Sequence, residues 1–319
     1  MKGVKSGSVA ASKVVVHPVT PEDSAIMDAI RVQARAAKGA LRGVNARVPY
    51  DALMERVVPR AGVTFEPDVV GGVPGLWVRA RSSDAATALL HLHGGWFNFG
   101  TATAYRHLVA HIADRASTDA FVPDYRLAPE HSFPAAINDV VACYGALRGD
   151  KRRLVVTGDS AGGNLALALA SQVSADPNAD GARLVGIAAV SPITDLTLSG
   201  ETYETRAASD PYFTKAQAAD LVHSYLGKAD PKDPRASPLY APLAALPPLQ
   251  IHVGDDEILL DDSRRYVERA LASGVDARLD VWMGMPHGFV ISVGAVKAAG
   301  EALDAIGTFL AERLRGRSR

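Results

Sequence analysis

The 319-residue chain has a single cysteine, Cys143. No intrachain disulfide can staple it, so packing must carry the fold. In "NDVVACYGALRG" that cysteine reads as a small buried hydrophobe inside a helix. Neither sign of charge is in excess: 34 Lys and Arg stand against 35 Asp and Glu, for a net charge of −1. A nucleic-acid partner or a polybasic membrane contact would need a basic surplus that the chain lacks. No apolar run is long enough to cross a bilayer. The opening "MKGVKSGSVAASKVVVHPVT" has a basic flank but no sustained apolar stretch, so it fails as a secretory signal or anchor. The expectation is a cytoplasmic protein with no membrane and no nucleic-acid partner. Internal repeats and low-complexity tracts are also missing.

What is present is alternation. "PEDSAIMDAIRVQARAAKGA" (Pro21–Ala40) and "YDALMERVV" (Tyr50–Val58) carry helix-spaced apolar residues and come before any recognisable strand. They predict an N-terminal helical cap over residues 1–60. "VTFEPDVV" and "GLWVRA", separated by "GGVP", read as a hairpin. From "ATALLHLH" onward, strand and helix patterns alternate to the end. About eight strands result, and the alternation implies an α/β fold with a mostly parallel sheet and helices on both faces. The core spans 61–195 and 248–319, and the strand-free, Pro-rich stretch 196–247 is an insertion contributing to the cap.

The chemistry concentrates at three strand ends. "RRLVVTGDSAGGNLALALA" places Ser160 between an apolar strand and an Ala/Leu-rich helix, within Gly158-Asp-Ser160-Ala-Gly162. A sharp strand–turn–helix corner crowds the residues two before and two after the serine, so both must be glycine. The corner lifts the hydroxyl clear and sets it at a helix N-terminus. A serine nucleophile needs a base oriented by a carboxylate. Of the histidines after Ser160, His223 falls mid-helix and His252 mid-strand. His287, in "WMGMPHGFV", lies in a tight loop past the last strand. Between them "LQIHVGDDEILLDDS" sets Asp255, Asp256 and Glu257 just past a strand end. Asp261 and Asp262 fit the cap of the following helix.

"ALLHLHGGWFNFG" (Ala88–Gly100) ends a buried strand on Gly94 and Gly95. Their bare amides, with that of Ala161, would receive the oxyanion formed on carbonyl attack. Trp96 and Phe97 would exclude water. His91 and His93 share a strand face, but no further ligands follow at metal spacing, so no metal is expected. His93 is better read as a brace for the loop. "RLAPEH" offers Arg126, Glu130 and His131, whose plainer role is to hold a loop by charged hydrogen bonds.

Together these motifs resemble the hormone-sensitive-lipase-like family of α/β-hydrolases, in its bacterial esterase branch. The residues that carry the resemblance are "HGGW", "GDSAGG", "PHGF" and the long "DYRLAPEHSFPAAINDV", with "SPITDLTLSGETY" and "SDPYFT". It covers nearly the whole chain. The resemblance implies an α/β-hydrolase fold and a carboxylesterase acting on short- to medium-chain, small-molecule esters through an acyl-enzyme. It further implies no cofactor, frequent dimers, and Tyr212 of "SDPYFT" in the substrate pocket with Trp96 and Phe97. Two departures stand out. Trp96 occupies the place of a frequent third glycine. The family's acid commonly sits in Asp-Pro-Leu, where this chain has "DDEILL"; Asp256 is the favoured match and Asp255 the alternative. Lactone or amide hydrolysis would use the same Ser160, Asp256 and His287. A non-catalytic receptor on this fold, as in plant gibberellin receptors, would lack a working histidine.

Overall fold

The structure, a computed structural model, describes residues 13–149, 153–174 and 184–316. Its strands are β1 (Val14–His17), β2 (Thr64–Val70), β3 (Val73–Arg79), β4 (Thr87–Leu92), β5 (Ala120–Pro123), β6 (Arg153–Asp159), β7 (Leu184–Val190), β8 (Leu249–Gly254) and β9 (Ala277–Trp282). Its helices are α1 (Pro21–Ala34), α2 (Arg47–Met54), α3 (Ala102–Ala116), α4 (Ala135–Gly149), α5 (Ala161–Ser174), α6 (Thr202–Thr205), α7 (Lys215–Leu226), α8 (Leu260–Ala272) and α9 (Lys297–Arg315). The strands form one sheet in the order β1-β9-β8-β7-β6-β4-β5-β3-β2. Only the β2–β3 and β3–β5 pairings are antiparallel.

The central strands are covered on both faces, and their sequences are accordingly continuous apolar runs. β4 and β8 are buried at every position. Successive side chains go to opposite cores: Leu90 joins the cluster with Leu165 and Ile251, while Leu89 joins the one with Val109 and Ile306. Parallel pairing brings the C-terminal ends of β4, β6, β7, β8 and β9 to one edge. The loops that leave that edge carry Gly94, Ser160, Ser191, Asp255–Glu257 and Gly284–His287.

Among the described residues the sheet has nine strands, not eight. Val14–His17 pairs in parallel with Leu279–Trp282 along the β9 edge. Of the expected cap segment 1–60, residues 1–12 lie outside the described residues, and Val14–His17 belongs to the sheet. Val14 and Val16 stay exposed, because an edge strand of four residues has only one neighbour. The first helix is also shorter than its apolar pattern, ending at Ala34 before a single 3₁₀ turn. Asp261 and Asp262 do not cap their own helix. Asp262 accepts from the Thr194 and Asp195 amides at 2.7 and 2.9 Å, and Asp261 from that of Thr202 at 3.1 Å. They pin the start of the insertion to α8. Among the described residues, 196–247 contains helices α6 and α7 and no strand. No described helix is long and apolar enough to cross a membrane. Cys143 is fully buried beside the Val70 carbonyl, and burial pushes its thiol up to about 12.

One contact fixes α1 to the body of the fold. Helix α9 has no side-chain cap of its own, since its N-cap position is Val296. The carboxylate of Asp23 in α1 accepts from the Lys297 and Ala298 amides at 2.8 and 2.9 Å instead. This cap spans more than 270 residues of sequence. Asp23→Ala leaves two amides unpaired at a helix start, which costs about 0.5–2 kcal/mol. Urea unfolding is expected to show a lower midpoint with an unchanged slope, and Asp23→Asn is expected to recover most of the loss. An Asp23→Ala midpoint equal to the parent's would contradict this role.

Candidate active site

Ser160 has φ +54, a left-handed conformation rare outside glycine. Its amide donates to the Val190 carbonyl at 2.8 Å, and its carbonyl accepts from the Asn164 amide at 3.0 Å. The corner is as crowded as its glycines imply. A Cβ on Gly158 would lie 2.3 Å from the Gly162 carbonyl oxygen, and one on Gly162 would lie 1.8 Å from that of Leu92. Ser160 thus sits at the start of α5 with no room for its chain to relax.

The candidate base and acid come from neighbouring loops. His287 Nδ1 and Glu257 Oε2 are 2.7 Å apart. Glu257 is fully buried, and its other oxygen accepts from the Gly254 amide at 2.8 Å and the Ser191 hydroxyl at 2.7 Å. Burial alone would depress the His287 pKa, but the Glu257 charge and hydrogen bond outweigh it and hold it above its usual value. The carboxylate on the imidazole is therefore Glu257, not Asp256. Asp256 is turned away to the guanidinium of Arg31, at 2.6 Å. Asp255 accepts from the Gly284 amide. A register cue was present: in Asp-Pro-Leu the leucine follows the acid by two, and Leu259 follows Glu257 by two.

The loop after β4 also differs from its expected arrangement. The Gly94 amide is already committed, donating to Tyr105 Oη at 3.0 Å and Asp159 Oδ1 at 3.1 Å. Gly94 is bare because a Cβ there would sit 2.3 Å from Asp159 Oδ2. It packs the loop onto the elbow and is not free to meet a substrate oxygen. The amides of Gly95, Trp96 and Ala161 donate to no acceptor among the described residues. Gly95, Trp96 and Phe97 have φ of 113°, 53° and 61°. Two non-glycine residues in that region need support. The Gly95 carbonyl accepts from the Asn98 and Phe99 amides at 2.9 Å each, and the Trp96 carbonyl accepts from Asn98 Nδ2 at 2.6 Å.

Of the three expected pocket residues, Trp96 is buried with its ring against Phe213, 5.3 Å between centroids. Phe213 in turn meets His287 edge-on at 4.9 Å. Phe97 is stacked on Tyr225 of α7 at 3.8 Å, so it ties the insertion to the loop. Tyr212 accepts the Gly39 amide on its carbonyl, and burial pushes its phenol up to about 12. Phe213, one residue on, is the one that reaches the histidine. Buried Asp210 holds it there, accepting from the Tyr212 and Phe213 amides at 2.8 and 2.9 Å and from that of Ile258 at 2.9 Å.

His91 and His93 are structural. His91 bonds Thr157 Oγ1 at 2.8 Å, and burial lowers its pKa to about 3. His93 donates from Nδ1 to the Gly94 carbonyl at 2.9 Å and stacks on Tyr125. Arg126 forks onto Asp139, and Glu130 pairs with Arg47 at 2.6 Å.

Residues 89–291 match the family described as the alpha/beta hydrolase fold. An esterase of Acinetobacter venetianus is 34% identical over 281 residues, 87% of this chain and 90% of that one. An acetyl-hydrolase of Streptomyces hygroscopicus is 35% identical over 83% of this chain and 88% of its own. A crystal structure of an esterase from the bacterial hormone-sensitive lipase family superposes with a TM-score of 0.84 at 35% identity. It covers 92% of this chain and 99% of that one. The chain belongs to the hormone-sensitive-lipase-like α/β-hydrolases. Within this family of hydrolases, the Glu257 assignment separates sharply from the Asp256 one. Glu257→Gln is expected to lower kcat on the order of 10³–10⁴, since the amide favours the wrong imidazole tautomer. Asp256→Asn is expected to cost far less. Steady-state kinetics on a p-nitrophenyl ester decides, and the opposite ranking would refute the assignment.

Proposed function

We propose that the chain hydrolyses carboxylic esters of short to medium acyl length through a Ser160–His287–Glu257 triad. The carrying observation is the 2.7 Å contact between Glu257 and His287 Nδ1. A carboxylate there takes the Nδ1 proton as a hydrogen bond and leaves Nε2 as an acceptor. Nε2 then removes the Ser160 proton as the hydroxyl attacks the ester carbonyl. The carbonyl oxygen becomes an oxyanion, received by the amides of Gly95 and Ala161, with that of Trp96 beside them. Collapse expels the alcohol, protonated by the imidazolium, and leaves an acyl-serine. A water, deprotonated by the same nitrogen, releases the acid.

The relatives support this reaction class, since they carry the names esterase and acetyl-hydrolase. Phe213 against His287, backed by Trp96, favours small acyl groups over bulky ones. The cap built from the N-terminal segment and 196–247 covers the edge where these loops meet. Its parts are joined by Gln217 Nε2 donating to the Leu41 carbonyl at 2.8 Å and Lys38 Nζ to that of Ala207 at 2.6 Å. The family resemblance adds a homodimer, which light scattering on the purified protein would register.

Two measurements test the reading. An organophosphonate ester should add one mass equivalent to the parent chain and none to Ser160→Ala, with hydrolysis in that variant reduced about 10⁴–10⁶-fold. Retention of a tenth of the parent rate would exclude Ser160. The second is a pH profile. Protonated His287 cannot accept the serine proton, so kcat/KM is lost as pH falls through its pKa. Because Glu257 raises that pKa, the midpoint is expected above about 6.5. A midpoint below 6 or a flat profile from pH 5 to 8 would contradict a histidine base paired with Glu257.

A further inference from the structure

Asp256, freed from the role of acid, is held by a residue far away in sequence. Arg31 lies near the C-terminal end of cap helix α1. Its Nη2 donates to Asp256 Oδ2 at 2.6 Å and to the Gly284 carbonyl at 2.7 Å, while Nη1 is held by Asp28 at 2.8 Å. Asp256 immediately precedes Glu257, and Gly284 stands three residues before His287. One nitrogen of the cap thus touches both the loop that carries the acid and the loop that carries the base.

These loops already lie against each other. The Asp255 amide donates to the Trp282 carbonyl at 3.1 Å, and the Asp256 amide to that of Met285 at 3.2 Å. A Cβ on Gly254 would meet the Met285 oxygen at 2.0 Å. Both bonds lie at the long, weaker end of the N–H···O range, which leaves the loops some play. We propose that Arg31 is a positioning residue that removes this play, setting the Glu257–His287 pair by clamping Asp256 to Gly284. The proposal rests on the reading of Glu257 and His287 as acid and base. A fork-shaped guanidinium suits the task, because it offers two donors in fixed relation to a carboxylate and a carbonyl. As an ion pair alone the contact would matter little, since Arg31 is 26% and Asp256 18% exposed. Its weight comes from alignment, where a displacement of 1 Å can cost on the order of 100-fold in rate. With Asp23 fixing the other end of α1 to α9, cap docking and alignment of the acid–base pair become one event.

The test is kcat and KM for Arg31→Gln, Asp256→Asn, the double variant and Arg31→Lys, on p-nitrophenyl acetate, butyrate and hexanoate, well below each melting temperature. Each single variant is expected to lower kcat about 5–30-fold on all three esters, with KM within twofold. The double variant should be no worse than the poorer single, because both remove one clamp. Arg31→Lys should recover part of kcat. Arg31→Gln with kcat within twofold of the parent would overturn the proposal. So would multiplicative losses in the double, or a shift in KM and acyl preference at constant kcat, which would make Arg31 a support for the substrate lid only. If Arg31→Gln does not fold, the nearly isosteric Asp256→Asn carries the same prediction. Glu257→Gln separates the two layers. If it stays active, the acid–base reading fails and this inference falls with it. If it is inactive while Arg31→Gln matches the parent, this inference alone fails.

Discussion

A carboxylate with no exposure to water persists as an anion only if donors replace the water it has lost. Glu257 meets that condition with three: the Gly254 amide, the Ser191 hydroxyl and His287 Nδ1. These come from the ends of β8, β7 and β9. Ser191 takes up φ +48 to serve, and its oxygen also accepts the Gly288 amide at 3.3 Å. One buried charge therefore gathers three strand ends into a fixed arrangement. Asp210 repeats the device on the insertion side, binding two amides next to Phe213 and one next to Glu257. The histidine is positioned because Glu257 is held through Oε1 by the other two donors, which leaves Oε2 facing His287 Nδ1.

A second buried carboxylate organises the other half of the site. Asp159 directly precedes Ser160 and holds the Gly94 amide and the Tyr105 hydroxyl, while burial raises its pKa to about 6. Tyr50 of α2 reaches Tyr105 at 2.6 Å, so helix α2 joins the same network. The left-handed residues Trp96, Phe97 and Ser160 cost on the order of 1–3 kcal/mol each when isolated. Here Trp96 is held by the Asn98 side chain, Phe97 by the Tyr225 stack, and Ser160 by its backbone bonds to Val190 and Asn164. In the proposed reaction the two buried carboxylates divide the work: Glu257 aligns the proton acceptor, and Asp159 aligns the oxyanion donors with the nucleophile.

Much of this was legible in the sequence, where a residue type had a steric reason. Gly158 and Gly162 announce the corner because nothing larger fits, and the corner announces Ser160. His287 followed from chain order and a loop past the last strand. The alternation of strands and helices gave the parallel sheet and its functional edge. What stayed hidden depended on direction, which composition does not encode. Asp255, Asp256 and Glu257 are three successive carboxylates beyond a strand, and only the fold shows which turns inward. Gly94 was read as bare for a substrate, yet it is bare for Asp159. β1 is four residues with a single neighbour, too short for a periodic signal to separate it from a tail. Arg31 was one charge among several on a cap helix, with nothing in the sequence to connect it to position 256.

The most direct measurement is a crystal structure of the phosphonate adduct at Ser160. The account predicts a phosphoryl oxygen within about 2.7–3.1 Å of the Gly95 and Ala161 amides. It also predicts the imidazole of His287 bonded through Nδ1 to Glu257, and the Gly94 amide still bound to Asp159. An adduct whose oxygen sits on the Gly94 amide, or whose imidazole turns to Asp255 or Asp256, would contradict it.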